Sequence, residues 1–480
     1  MTKGKDEELE ADVVVVGAGA CGLSAALTVS SGGASVIIFE KRSSVGGLSN
    51  FVEGIFAVES KLQEKMKLSY TLEDRFKVHM EACNWEPDAQ LVRTFMEKTA
   101  DTIDWLMKLG CKFSGVYNQY PGSPFVWHML EGRGLKGLIE PLFKRAQEEK
   151  NIRIFLETSV KKIVKENGKI AEVVAEDKSG NVINVKCKAV VIATGGYGDN
   201  SEWIEKFLES GKYLKPVIKA DQTGDGIKMA WEVGATAMGL GTMQAIPCIL
   251  NEFIGSLLSV IALQPNLWVN ERGERFCDES IVWRFPIVTN ALLRQPHACA
   301  YNIFDQNMVA FIKERGLQYW VLEYFDPLTR ANEIYAELKR GVKENKVFEA
   351  ASIKELAKKI NVDSVKLEDT VKAYNECCDK NYDFLFFKDR RYLHPIRKPK
   401  FYAVKISPHI IITEGGIRVN HKMEVLDNQL NAIPGLYAGG CCVEGPVGHT
   451  YPLISTGVSA SFAVNSGRIA GENILKYLDK

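Results

Sequence analysis

Three glycines and one acid carry the first chemistry that can be read from the chain. Gly17, Gly19 and Gly22 follow the apolar run Val13–Val16, and Glu40 closes a second apolar run at 35–39. An apolar strand, a glycine turn, a helical apolar stretch at 23–29, a second strand and an acid follow in the order of a dinucleotide-binding βαβ unit. Gly17 makes the tight turn, Gly19 lets backbone amides approach a pyrophosphate, and Gly22 lets the helix pack closely on the strand. Glu40 lies eighteen residues beyond Gly22, where a carboxylate can accept both hydroxyls of an adenosine ribose.

Two later strand-to-glycine endings extend this pattern. One is Ala193-Thr194-Gly195-Gly196 after the apolar run ending at 193, and the other is Gly435-Leu436-Tyr437-Ala438-Gly439-Gly440 after the turn Ile433-Pro434. They fit a second and a third backbone approach to one long, extended cofactor, and FAD is long enough to need them. Residues 245–400 switch to helix-rich, Lys/Glu-rich text, with amphipathic stretches at 352–360 and 367–377. The expected fold class is therefore α/β: a Rossmann-like FAD-binding domain with an inserted α+β capping domain. The expected boundaries are 1–244 and 401–480 for the FAD-binding domain and 245–400 for the capping, substrate domain.

Composition narrows the function classes. The 480 residues hold 60 basic and 60 acidic side chains, so the chain lacks the basic surplus that a general nucleic-acid or anionic-membrane binder needs. The longest apolar region, 253–269, is broken by Gln264, Pro265 and Asn266 and falls short of the roughly 20 residues of a spanning helix, so no membrane span is expected. The first residues lack the apolar stretch and cleavage site of a secretory signal. The 11 cysteines are odd in number and irregularly spaced, which suits a reducing cytoplasm better than a disulfide framework. No CxxC occurs, so neither a paired-thiol zinc knuckle nor a c-type haem attachment site is available, and no metal site is expected.

The chain resembles the flavoprotein family of fumarate reductases and succinate dehydrogenases, which also holds the 3-ketosteroid dehydrogenases and urocanate reductases. Beside the first βαβ unit, the resemblance rests on Gly46-Gly47, the ATGG at 193–196, the TGDG at 223–226 and the NERGERFCDE at 270–279. It continues with the TEGG at 413–416, the glycine ending at 435–440 and the GRIAGE at 467–472. These occur in family order from residue 12 to the end. The resemblance implies FAD, a mobile capping domain over the flavin, and hydride exchange between the reactive flavin nitrogen and a carbon next to an activating carbonyl. No histidine follows Gly46-Gly47 where covalent members carry their linking histidine, so the FAD is expected to be noncovalent.

By resemblance, the FAD contacts are Gly17, Gly19, Ala20, Gly22, Glu40, Lys41, Gly47, Ala193, Thr194, Gly195, Asp225, Gly440 and the turn Thr456-Gly457-Val458. That turn opens a helix whose N-terminal amides suit the anionic edge of a reduced flavin. Cys441 stands where relatives usually place a ribityl-binding glutamate. The vicinal pair Cys441-Cys442 reads either as a redox couple or as small buried residues filling a tight turn.

The same resemblance shows a substrate site stripped of charge. The two histidines and two arginines that hold a dicarboxylate in fumarate reductases correspond here to Ile246, Ile412, Ile454 and a position near Val309. A dicarboxylate there would leave desolvated charges at a cost of several kcal/mol each, so fumarate is a poor substrate candidate. Instead Gly448-His449-Thr450-Tyr451-Pro452 matches the GHTYP of the 3-ketosteroid dehydrogenases, whose tyrosine hydrogen-bonds the substrate ketone. Tyr451 is therefore the expected catalytic residue, polarising a carbonyl oxygen as charge grows on it. The catalytic-base tyrosine of those relatives falls on Trp283, whose indole can neither accept nor donate the required proton. Arg284 is the first alternative proton donor, by analogy with a family relay through the motif glutamate, here Glu279. Tyr120 and His128 fall in a loop that lines the substrate in relatives.

The expectation is an FAD-dependent oxidoreductase acting on CH–CH groups, an ene-reductase or dehydrogenase. Its small-molecule substrate is a mainly apolar enone or enoate, cyclic or steroid-like, and its electron donor or acceptor is a separate partner. The competing readings are a fumarate- or urocanate-type respiratory reductase and a non-catalytic flavin redox sensor.

Overall fold

The computed structural model describes residues 7–208, 210–319 and 331–479. The chain divides into two compact units, one of Met1–Leu208, Ile218–Met243 and Ile412–Lys480, the other of Glu209–Val217 and Gln244–Ile411.

The first unit is built on a six-stranded sheet in the order Glu424–Leu426, Ala432–Ala438, Ala189–Ile192, Val13–Val16, Val36–Phe39, Ile152–Phe155. All pairings are parallel except that of the Glu424–Leu426 edge. Both faces of the inner strands are covered, so Val13–Val16, Val36–Phe39 and Ala189–Ile192 are buried at every residue. This is why they read as unbroken apolar runs rather than as alternating ones.

The first helix, Ala20–Ser31, lies against the last, Val458–Leu478. Gly467 and Gly471 are four apart and so share one face of the last helix. A Cβ at Gly467 would sit 2.2 Å from the Cys21 carbonyl oxygen, and one at Gly471 2.8 Å from Thr28 Cβ. The GRIAGE text is thus a packing seam that seats the last helix on the first. A smaller sheet joins Gly54–Phe56, Trp127–Leu130 and Phe113–Tyr117, and a four-stranded sheet runs from Glu7–Glu10 to Thr158–Glu166.

The second unit is α+β, around an antiparallel sheet in which Phe401–Glu414 pairs with Ala300–Asp305 and with Val347–Ala350. Alternation along the strands divides its core in two. Trp268, Phe304 and Val404 enter one apolar cluster, while Leu267, Val269, Tyr301, Ile303 and Ala403 enter the other. The strand Phe401–Glu414 belongs to this unit as far as Ile411, and its last three residues, Ile412, Thr413 and Glu414, belong to the first. The FAD-binding domain is expected from the sequence to resume at 401, where this strand begins, whereas the units divide inside it, after Ile411, because one long strand serves both. Among the described residues no helix is long and apolar enough to cross a membrane.

Candidate active site

A cavity of about 980 Å³, counted with its open mouth, runs along the C-terminal ends of the parallel strands in the first unit. Its walls include Gly17, Gly19, Ala20, Glu40, Lys41, Gly47, Ala193, Thr194, Gly195, Asp225 and Gly440. Parallel strands all end on this side, which is where ligands bind in open α/β sheets. Gly17 adopts φ +105°, and a Cβ there would lie 2.5 Å from the Ala193 carbonyl oxygen, so the turn between the first strand and helix requires glycine. A Cβ at Gly22 would lie 1.9 Å from the Gly17 carbonyl oxygen; Gly22 packs and does not line the cavity. The Thr456-Gly457-Val458 turn is also absent from these walls.

The donors and acceptors of the cavity suit a dinucleotide. The first helix starts at Gly19 without a side-chain cap and without an acid in its first turn, which leaves amides and a positive dipole end for an anion. Ser49 Oγ takes the Ala20 amide at 3.3 Å, and the cavity-lining Thr194 holds a buried hydroxyl that has no partner among the described residues. Glu40 accepts the amides of Ala18 and Arg42, each at 2.9 Å, one on each oxygen, and keeps a lone pair on each for a ligand hydroxyl. Lys41 bridges Thr223 and Asp225 at 2.9 Å each. Burial acts to raise the Asp225 carboxyl, but the Thr223 and Lys41 hydrogen bonds outweigh it and hold it below the usual range. These residues fit FAD.

Sequence reasoning did not name Thr158, Ser159, Val160 and Gln222, which also line the cavity. The first three come from the four-stranded sheet, and no motif marks them. Cys441 lines the same cavity, and its thiol is pushed far up by burial and by the neighbouring Glu414, so it is held protonated. The Cys442 thiol donates to the Gly439 carbonyl at 3.1 Å, and all eleven cysteines are free. That is the geometry of packed small residues and not of a bonded redox pair.

Tyr451 is buried near the start of the last helix. Burial raises its phenol well above the ordinary range, as does the charge of Glu414. The Ser459 hydroxyl and the amides of Ser459 and Gly457 act in the opposite sense. The phenol is therefore neutral and able to donate. Ile412 and Ile454 are half-buried.

His79, which no motif signals, braces the loop that carries GHTYP at both ends. Its Nε2 donates to the Pro446 carbonyl at 2.5 Å and its Nδ1 accepts from the Ser455 hydroxyl at 3.0 Å. The expected lining residue His128 is instead a buried core histidine, with Nε2 on Ser60 Oγ at 2.6 Å and Nδ1 on the Val126 carbonyl at 3.2 Å. Burial depresses both histidines to about 4. Tyr120 is half-buried in a turn closed by the Ser123 hydroxyl on its carbonyl at 2.7 Å.

In the second unit the expected Glu279–Arg284 relay is not formed. Glu279 is fully buried and paired with Arg275, whose Nε and Nη2 donate to it at 2.9 and 2.8 Å. Arg275 also binds Asp383 at 3.0 and 2.9 Å, and Lys388 lies 3.3 Å from Glu279. Two cations and two anions thus neutralise each other inside the core. Arg284 is exposed at the end of the 3-10 turn Glu279–Arg284. The i, i+4 spacing of Arg275 and Glu279 is the signal that sequence reasoning passed over. Trp283 donates to the Tyr392 hydroxyl at 3.2 Å, and Ile246 is buried.

A parallel sheet with three glycine approaches to one elongated cavity defines a flavin-binding oxidoreductase fold. The FAD binding domain family matches residues 12–458. The chain belongs to the FAD-dependent flavoprotein family of fumarate reductases and succinate dehydrogenases, oxidoreductases acting on CH–CH groups. It is 32% identical over 481 residues to the vinyl phenol reductase of Lactiplantibacillus plantarum, covering 97% of this chain and 96% of that protein. The open conformation of a flavocytochrome c3 fumarate reductase superposes with a TM-score of 0.74 at 28% identity, covering 98% of this chain and 78% of that one. The 3-ketosteroid-Δ4-(5α)-dehydrogenase of Rhodococcus jostii shares the fold, with a TM-score of 0.75 at 20% identity over 98% and 99% of the two chains.

Proposed function

We propose that the protein is an ene-reductase that uses noncovalently bound FAD. Its substrate is a mainly apolar molecule in which the double bond is conjugated to one oxygen-bearing group, the carbonyl of an enone, the carboxylate of an enoate or the phenol of a hydroxystyrene. Bound FAD supplies the two electrons as hydride. The observation that carries the reading is Tyr451, a buried neutral phenol near the start of the last helix. As hydride adds to the conjugated system, negative charge collects on its oxygen, and a phenol held in place by packing stabilises that charge without reorganising.

A hydroxystyrene fits the same logic. Loss of its phenolic proton and protonation of its terminal vinyl carbon give a quinone methide, an extended enone whose oxygen then takes the charge of the arriving hydride. The relative named for vinyl phenol reduction supports including this substrate type. Ile246, Ile412 and Ile454, at the positions where the family holds dicarboxylate anchors, speak for an apolar ligand and against a dianion.

A separate protein or small carrier delivers the electrons. The test is to mix dithionite-reduced enzyme anaerobically with cyclic enones, cinnamates, hydroxystyrenes, fumarate and urocanate and to follow flavin reoxidation. Rapid reoxidation by an apolar class and none by fumarate is expected. Reoxidation by fumarate alone would overturn the reading, and silence with every compound would return the protein to the sensor class.

A further inference from the structure

The strand end that leads into the TEGG turn carries an acid that the family resemblance does not use. Glu414 is buried, only 3% exposed, and among the described residues no basic side chain acts on its carboxyl. Its Oε1 accepts the Ser459 hydroxyl, and its Oε2 has no hydrogen-bond partner among the described residues. Ser459 also lies close enough to the Tyr451 phenol to oppose the rise in its proton affinity. Carboxyl, serine hydroxyl and phenol therefore lie in sequence near the start of the last helix, with the serine hydrogen-bonded to the carboxyl.

A second observation points the same way. Glu414 lines a separate cavity of about 540 Å³ with Glu86, Glu444, Gly445, Gly448 and His449. The His449 amide and ring donate to Glu86 at 2.8 and 3.1 Å, and the His449 side chain is 75% exposed. The carboxyl thus lines a cavity whose wall reaches the exposed His449. The other titratable groups facing it are the thiols of Cys441 and Cys83, both held protonated. With Glu86 and Glu444 across the cavity, its ionised form meets mostly neutral or anionic neighbours.

We propose that Glu414 is the proton reservoir of the active site, delivering a proton through the Ser459 hydroxyl to Tyr451 and refilling from solvent through the Glu86–His449 cavity. This rests on the reductase reading above. As a hydride bonds to one carbon of the double bond, the π electrons move onto the conjugated oxygen, which takes the phenolic proton of Tyr451. The Ser459 hydroxyl, which donates to Glu414 at rest, turns its proton to the phenolate and takes the Glu414 proton in its place, leaving one carboxylate. The substrate has gained one hydride and one proton, and the proton lost by Glu414 is regained from water. Burial raises the Glu414 carboxyl to about 7, with the Ser459 hydrogen bond opposing, which keeps the acid loaded near neutral pH. Glu414 acts through Tyr451, so it is a positioning and relay residue.

The experiment compares wild type, Glu414→Gln and Glu414→Asp. In stopped-flow reoxidation of the reduced flavin, the wild-type rate should fall as pH rises through about 7. Glu414→Gln should be slower by roughly a hundredfold or more, with that inflection gone, while Glu414→Asp recovers part of the rate together with an inflection. Flavin affinity, measured by fluorescence titration, should be unchanged in both variants, which separates the relay from a folding defect. Independently of turnover, the infrared carbonyl band of a protonated carboxyl should titrate near pH 7 in wild type and be missing from Glu414→Gln. A Glu414→Gln enzyme with the wild-type rate and pH profile would overturn the proposal, and so would an infrared spectrum without the Glu414 band. If no conjugated substrate reoxidises the wild-type flavin, the reductase reading fails, and the infrared titration still decides whether Glu414 holds a proton at neutral pH.

Discussion

Replacing Glu279 by glutamine separates a structural role from the relay that the family resemblance implies. The carboxylate lies 2.8 Å from Arg275 Nη2 and 3.3 Å from Lys388 Nζ, with no solvent exposure. At an effective dielectric of about 20, those two separations correspond to roughly 6 and 5 kcal/mol of gross attraction. Removing the charge also removes its own burial cost, so the net loss on breaking such a buried pair falls to about 3–5 kcal/mol. Lys388, itself fully buried, would be left without a carboxylate while Arg275 keeps Asp383. For a unit of about 180 residues each kcal/mol moves the melting temperature by roughly 2–4 °C, so a fall of about 6–20 °C is expected. Differential scanning calorimetry of the flavin-loaded protein reads it, with the surviving folded fraction turning over at the wild-type pH profile. A melting shift below about 3 °C, combined with a changed pH profile, would refute the structural assignment and restore Glu279 to a proton path.

Other outcomes follow from the same geometry. Tyr451→Phe should lower the rate of flavin reoxidation by about a hundredfold while leaving FAD bound, as loss of one oxyanion donor does; an unchanged rate with a true substrate would remove Tyr451 from the mechanism. Acid precipitation should release all flavin to the supernatant, and absorbance left on the pellet would disprove noncovalent binding. His79 and His128, depressed to about 4, stabilise the fold fully above their ordinary value near 6.5 and lose that contribution as pH falls through 4. Glu414, raised to about 7, has the opposite sign: its penalty is present above 7 and disappears as pH falls toward 4.5. At about 1.4 kcal/mol per pH unit each group is worth roughly 3 kcal/mol, so one histidine's worth of stability should be lost net between pH 7 and 4. Urea midpoints across that range measure it, and a flat profile would contradict the two buried, neutral imidazoles.

The βαβ unit was legible because its constraints are local. The Gly17 turn, the close packing at Gly22 and the unbroken burial of Val13–Val16 each follow from residues a few positions apart. The same holds for the later glycine endings, which lie at the ends of strands whose burial forces apolar text. The division after Ile411 was not legible, because Phe401–Glu414 is one uninterrupted strand that carries no composition change where it passes from one unit to the other.

The sequence by itself determined the cofactor class and the loss of charge at the family's dicarboxylate positions, since both depend on residue type at fixed spacing. It also singled out Tyr451, through the five-residue GHTYP text. Only the tertiary structure decided which groups work together. Glu414 and Ser459 are 45 residues apart, and His79 is 376 residues from the Ser455 it binds. Glu279 found Arg275 and Lys388 rather than Arg284, because burial selects the partners that neutralise a charge inside the core. Proton affinities follow from the same packing: a glutamate reads as an ordinary acid along the chain, and its removal from water makes Glu414 a group that titrates near 7.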